Sequence, residues 1–239
     1  MKQKHTVITG GAQGIGKGIV GLFQNEGHEI TIIDKQPLPE WVNKLEGVHY
    51  IQGDLADKND LVSITEKFEK NQTHPVTCFI HNAGISSFTK LYNLTMDEWD
   101  EIMNTNVRAG VFLSKYFSYS MPVGGSIILI SSTRAEMSEP GSEAYAASKG
   151  ALRSLTHALA ASLQNKKITV NSISPGWIHT GDVNDLRDFD HQQHFSKRVG
   201  HVNDIARACL FLSDPENQFI NGEDLVIDGG MTRKMIYGH

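Results

Sequence analysis

Thr6-Val7-Ile8-Thr9-Gly10-Gly11-Ala12-Gln13-Gly14-Ile15-Gly16 is the stretch whose reading decides the fold. Its apolar start reads as a short strand, and Ile15, Ile19, Leu22 and Phe23 then recur on one face of a helix. Strand, glycine turn and helix in that order form the entrance to a dinucleotide site. Glycines let the backbone turn tightly and approach a pyrophosphate, whose charge sits at the helix N-terminus. The spacing is G-x-x-x-G-x-G rather than G-x-G-x-x-G, and alone it also fits an ordinary glycine-rich turn. A second strand, Ile30 to Ile33, ends in Asp34, eighteen residues after Gly16. An acid at about that distance reaches the ribose hydroxyls of an adenosine half, and with it the turn reads as a nucleotide site.

Outward from this unit, strands and helices alternate. Strands are expected near 6–9, 30–34, 48–52, 77–82, 126–131, 168–173 and 224–228, and helices near 14–26, 57–70, 97–119, 143–164 and 201–213. A less regular segment covers about 182–196. Short apolar strands separated by amphipathic helices give a parallel sheet covered on both faces. No repeat, low-complexity run or linker interrupts the 239 residues, so the expectation is one α/β domain spanning 1–239. Net charge is −5 with both signs interspersed, which offers no basic block for nucleic acid. No apolar run approaches the roughly 20 residues that span a membrane. The first strand begins near Thr6, leaving no room for a signal peptide. Cys78 and Cys209 lie in apolar segments and read as buried reduced thiols, so a soluble cytoplasmic protein is expected.

Tyr145-Ala-Ala-Ser-Lys149 adds chemistry. Four residues make about one helical turn, so phenol and ammonium leave the same face. A neighbouring cation favours tyrosinate and is expected to lower a pKa that starts near ~10. That would make the phenol a proton donor and acceptor near neutral pH. Ser132 stands thirteen residues earlier, at the end of the Ile127–Ile130 strand.

Together these motifs resemble the short-chain dehydrogenase/reductase family, of the simple, non-extended kind. The resemblance runs in order through Thr9–Gly16, Asp54-Leu55, Asn82-Ala83-Gly84, Asn106, Ser131-Ser132, Tyr145 and Lys149, Asn171, and Pro175-Gly176. It implies a single Rossmann-type, doubly wound sheet of about seven strands in the order 3-2-1-4-5-6-7. It also implies hydride exchange between a dinucleotide and a secondary alcohol or ketone. Tyr145 would be the general acid or base, and Lys149 would tune it and bind the nicotinamide ribose. Ser132, chosen over Ser131 by its spacing, would hold the reacting oxygen. Asn106 would support a helix distortion and a water relay. The spacing of Tyr145 and Lys149 is not the YxxMxxxK of enoyl reductases.

By the same resemblance, Gly10, Gln13, Gly14, Ile15 and Gly16 would cradle the pyrophosphate, and Asp54 and Leu55 would flank the adenine. Asn82, Ala83 and Gly84 would line the trough, with His81 where many relatives carry Asn. Pro175, Gly176, Ile178 and Thr180 would wrap the nicotinamide end. Asp34 would take the ribose hydroxyls and repel a 2′-phosphate. Gln13 stands where NADP-using relatives often carry Arg or Lys, so NAD is the expected cofactor; Lys35 is the counter-signal for NADP. Arg134, Glu139 and Trp177 are expected near the substrate. The segment 182–196 is polar, which favours a small polar alcohol, a polyol or a sugar-like compound. His191 and His194 lack a third ligand at motif spacing, so no metal is expected. A homotetramer or homodimer through the helices near 97–119 and 143–164 is implied, with Val107, Val111, Phe112, Phe117, Leu152, Leu155 and Leu159 as candidate apolar surface. Two alternatives stand beside this reading: an NADP-dependent carbonyl or ketoacyl-type reductase, and a non-catalytic NAD-sensing protein.

Overall fold

The computed structural model describes residues 4–72 and 74–235. A seven-stranded, all-parallel sheet forms its centre, built from β1 (His5–Thr9), β2 (Glu29–Asp34), β3 (Val48–Gln52), β4 (Cys78–His81), β5 (Ser126–Ile130), β6 (Thr169–Pro175) and β9 (Asp224–Ile227). Their order is β3-β2-β1-β4-β5-β6-β9, the order expected from the sequence with β9 as the seventh strand. The strands β1, β2, β4, β5 and β6 are buried along their whole length. Burial on both faces removes the strict apolar–polar alternation of a half-exposed strand, and in β6 even Asn171, Ser172 and Ser174 are buried.

Helices cover both faces. On one, α1 (Gly14–Asn25) packs beside α7 (Val202–Ser213), so that Ile19, Val20 and Phe23 meet Ile205, Cys209 and the strand residues Ile30 and Ile80. On the other lie α2 (Lys58–Asn71), α4 (Ala109–Ser120) and α5 (Glu143–Leu163). There Leu61, Ile64 and Phe68 pack with Leu113, Phe117, Leu152 and Ala160. Asp57 starts α2 by accepting from the Asn59 and Asp60 N–H groups, which satisfies two of the four orphan donors of a helix start. Phe117 and Leu152, two candidates for an intersubunit surface, face their own sheet and are buried. Phe112 is exposed, while Leu155 and Leu159 are only partly covered.

Three features depart from the expected elements. The helix read over 97–119 is α3 (Met96–Met103) and α4 joined by a π-helical turn, Asn104–Arg108. Beyond β6, β7 (Ile178–His179) and β8 (Gly200–His201) form a separate parallel pair that brackets the segment 182–196. Within that segment α6 (Asp188–Gln192) is held by Asp190, which accepts from the Arg187 guanidinium and backbone N–H. After β9 the chain makes a short turn, Met231–Arg233. Cys78 and Cys209 are free and buried.

Candidate active site

Strand order reverses between β1 and β4, because the chain runs from β1 outward to β2 and β3 and then returns to the other side. Loops leaving the carboxyl ends of those strands diverge and leave a crevice. Gly10 opens it with φ +67, a left-handed conformation that glycine adopts freely. A Cβ there would stand 2.7 Å from Ala83 Cα, and one on Gly16 would stand 2.0 Å from the Gly10 carbonyl oxygen. These two glycines therefore let the first turn close on itself and on the loop after β4. Asn82 Nδ2 locks the approach by donating to the Thr9 and Gly10 carbonyls.

The resulting groove measures about 380 Å³. Gly10, Gln13, Gly14 and Ile15 line one wall, Asp34, Asp54 and Leu55 one end, and Asn82, Ala83, Gly84 and Thr180 the rest. Ile33, Lys35, Gln36, Gly53, Ile85, Ser86 and Thr105 also line it; apart from Lys35, none was singled out from the sequence. Asp34 ends β2 with both carboxylate oxygens engaged: Oδ2 accepts from the Ala12 N–H and Oδ1 from the Gln36 N–H, each at 3.0 Å. The acid thus fixes the glycine loop as well as facing the groove. Trp41, also unforeseen, donates from Nε1 to the Ala12 carbonyl, with the Lys17 ammonium over its ring.

Gly84 of the groove wall borders the catalytic candidates: a Cβ there would stand 3.3 Å from Lys149 Nζ and 3.4 Å from Asn106 Oδ1, closer than a side chain ordinarily packs. Lys149 is buried and donates to the Ile130 carbonyl at 2.7 Å, while Ser131 Oγ donates to the Lys149 carbonyl. Burial lowers the Lys149 pKa to about 8, because a low-dielectric surrounding disfavours the cation. Its ammonium lies 5.5 Å from the Tyr145 ring centroid.

Tyr145 departs from the expectation. Burial raises its pKa, and the opposing influences come from a hydrogen bond with Ser132 and from the Arg134 charge, not from Lys149. The lysine points at the Ile130 carbonyl instead of the phenol oxygen, which accounts for the difference. Ser132 Oγ accepts from the Arg134 backbone N–H at 3.1 Å and lies near enough to the Tyr145 hydroxyl to counter part of the burial effect.

Asn106 sits in the π-turn with every polar atom of its side chain used. Its Oδ1 accepts from the Ile85 N–H, and Nδ2 donates to the Ile85 carbonyl and to Ser148 Oγ. His81 completes the arrangement. Its Nε2 is 3.0 Å from the Asn106 carbonyl, which can only accept, so Nε2 carries the proton and Nδ1 accepts from Thr9 Oγ1. Thr9 Oγ1 in turn accepts from the Asn82 and Ala83 N–H groups. Burial lowers the His81 pKa to about 4 and keeps the ring neutral.

Known proteins match this chain along almost its whole length. A family model described as enoyl-(acyl carrier protein) reductase matches residues 10–232. An uncharacterized oxidoreductase of Thermotoga maritima is 39% identical over 254 residues, covering 99% of each chain. The NADP-dependent (R)-specific alcohol dehydrogenase of Lentilactobacillus kefiri is 30% identical, over 97% of this chain and 98% of that one. Among solved structures, an apo SCOR enzyme from Clostridium thermocellum superposes with a TM-score of 0.89 at 35% identity, over 99% of this chain and 96% of that one.

The chain belongs to the short-chain dehydrogenase/reductase family. As a short-chain dehydrogenase/reductase it keeps most of its sequence-derived site residues around one crevice, but not all. Pro175 is buried at the end of β6. A Cβ on Gly176 would meet Asp228 Cβ at 2.6 Å, so that glycine serves the packing of β9. Ile178 packs against the α1/α7 core in the β7–β8 pair. Trp177 stacks loosely on His194, 6.5 Å between centroids. Of that loop, only Thr180 lines the groove. His191 Nδ1 accepts from the Val199 N–H.

Proposed function

We propose that this short-chain dehydrogenase/reductase interconverts a secondary alcohol and a ketone with NAD(H) as the preferred cofactor. The observation that carries the reading is the cluster of Ser132, Tyr145 and Lys149, with the Lys149 ammonium 5.5 Å from the Tyr145 ring centroid and next to Gly84 of the groove wall. The residues present fit a dinucleotide: two glycines closed to any side chain, an acid at the β2 end, and a third glycine, Gly84, lining the groove next to the Lys149 ammonium. When bound, the nicotinamide supplies or accepts the hydride. In the reducing direction Tyr145 gives its hydroxyl proton to the carbonyl oxygen, and in the oxidising direction it takes the proton back. Ser132 donates to the same oxygen and fixes its distance from the phenol. Lys149 supplies positive charge beside Gly84 and would hold the nicotinamide ribose, and Asn106 holds the π-turn against the loop after β4. Asp34 favours NAD, since a 2′-phosphate would bring negative charge against a carboxylate.

Lys35 lines the same groove end and supports a second reading in which NADP is accepted, the cofactor of the Lentilactobacillus relative. The polar segment 182–196 supports a small polar substrate, and exposed Phe112 on α4 supports a homo-oligomer through α4 and α5. A panel of polyols, sugars, hydroxy acids and cyclic alcohols, with their ketones, tests the reading through dinucleotide absorbance. Turnover with NAD(H) that shifts toward NADP(H) in Asp34→Ala is the expected outcome. An Asp34→Ala protein with unchanged preference contradicts the cofactor assignment. Dinucleotide binding with no turnover across the panel favours the sensor alternative.

A further inference from the structure

Arg134 stands outside the dinucleotide groove, two residues after Ser132, and none of the chemistry above uses its side chain. Its backbone is tied to the site through the N–H that donates to Ser132 Oγ. The guanidinium carbon lies 5.2 Å from the Phe88 ring centroid, over the ring, and that centroid is 6.1 Å from the Tyr145 ring. The charge is close enough to pull on the Tyr145 phenol. Nη2 donates to Glu139 Oε2 at 2.5 Å. Nη1, in contrast, is buried and has no hydrogen-bond partner. A buried charged donor without an acceptor is costly, and native structures rarely keep one without a reason. Glu139 is a weak competitor: its side chain is 71% exposed, and exposed ion pairs contribute little.

We propose that Arg134 anchors a carboxylate on the substrate, so that the site takes hydroxy acids and their oxo acids. This rests on the reaction proposed above, because the anchor matters only if the reacting oxygen lies at Ser132 and Tyr145. A substrate carboxylate displaces the exposed Glu139 from Nη2 and, once that pair opens, takes the unpartnered Nη1 as well in a two-pronged contact. Glu139 already places a carboxylate at the guanidinium edge, which marks that edge as suited to a planar acid. The Phe88 ring covers one face of the guanidinium. Two-point attachment, oxygen at Ser132 and carboxylate at Arg134, orients the reacting carbon. In oxidation the C–H bond gives a hydride to the dinucleotide, the O–H proton goes to Tyr145, and C=O forms. The carboxylate is unchanged.

Two measurements separate this inference from the reaction beneath it. Calorimetry of the protein–NADH complex compares malonate with malonamide, a neutral analogue of the same shape. Absorbance compares reduction of acetoacetate with that of its methyl ester, using NADH and NADPH. Wild type is expected to bind malonate on the order of ten- to a hundredfold more tightly than malonamide, the range of a charged hydrogen bond. Arg134→Met should collapse that ratio. Glu139→Gln, at an exposed position that puts little strain on folding, should widen it. No preference for malonate in wild type, or a ratio that neither substitution moves, overturns the proposal. If the methyl ester is reduced while the malonate preference is absent, the oxidoreductase reading stands and the anchor fails. If the preference is present and Arg134-dependent while neither ketone is reduced, the anion site stands and the reaction fails.

Discussion

Lys149 carries two opposing demands at the residue scale: it is buried, yet its charge belongs beside Gly84 of the groove wall. Burial brings its pKa to about 8, so the ammonium in the dinucleotide-free protein is lost as pH rises through that value. Lys149→Met removes the cost of burying a charge and leaves the Ile130 carbonyl unpaired. These effects offset each other, so the melting temperature should shift by only a few degrees. Turnover should fall by about 10²-fold or more, the scale of a missing acid–base component. A variant that melts like wild type and also turns over like it would remove Lys149 from the mechanism. Gly16→Ala behaves differently. Its Cβ would stand 2.0 Å from the Gly10 carbonyl oxygen, so the glycine loop must shift. Overpacking of this kind costs about 1–3 kcal/mol, and the displaced loop should weaken dinucleotide binding on titration. Undiminished affinity would show that the loop geometry is not what holds the cofactor.

The element most informative about what sequence reveals is the helix interrupted by the π-turn. Apolar spacing through Val107, Val111 and Phe112 continues across it, so the sequence reads as one helix. The turn is set from elsewhere, by His81 on the Asn106 carbonyl and by Ile85 on the Asn106 side chain. Partners 25 and 21 residues away leave no local signature. The glycine loop was legible for the opposite reason, because its turn, its strand and its helix are neighbours in the chain. Arg134 and Phe88 meet only after folding, so the wall beside Tyr145 was invisible beyond the nearness of Arg134 to Ser132. Asn106→Ala leaves the Ile85 N–H and carbonyl without their side-chain partners, while the Ser148 hydroxyl still donates to the Tyr145 carbonyl. At about 1–3 kcal/mol for each buried group left unsatisfied, roughly 2 kcal/mol or more should be lost. Urea unfolding measures it directly. A loss under about 1 kcal/mol would mean that the π-turn does not depend on this residue.

At the scale of the whole molecule, acid sensitivity follows from histidines buried as neutral rings. Burial lowers His28 and His81 to about 4, and His5 is also lowered. Unfolded histidine titrates near ~6.5, so between that pH and about 4 the unfolded chain binds more protons than the folded one. Stability from these groups is therefore complete above about 6.5 and lost as pH falls toward 4. His28 and His81 each give a slope approaching about 1.4 kcal/mol per pH unit. Denaturation midpoints measured from pH 7.5 to 4.5 should fall steadily, and His81→Asn should flatten the curve. A flat profile in the wild-type protein would contradict the burial of these rings. Strand order was legible at this scale through the family resemblance alone, since alternating apolar strands and amphipathic helices point to a parallel sheet but not to its order. The small β7–β8 pair was not, since two residues per strand carry no periodicity.

Proton transfer by Tyr145 is the central claim, and turnover of Tyr145→Phe beside wild type tests it most directly. Dinucleotide affinity and melting temperature should be measured on the same samples. Removal of one hydroxyl leaves the ring against Phe88, so fold and binding should persist while turnover falls by about 10²–10⁴-fold. Turnover within a few-fold of wild type, with binding intact, would contradict the account.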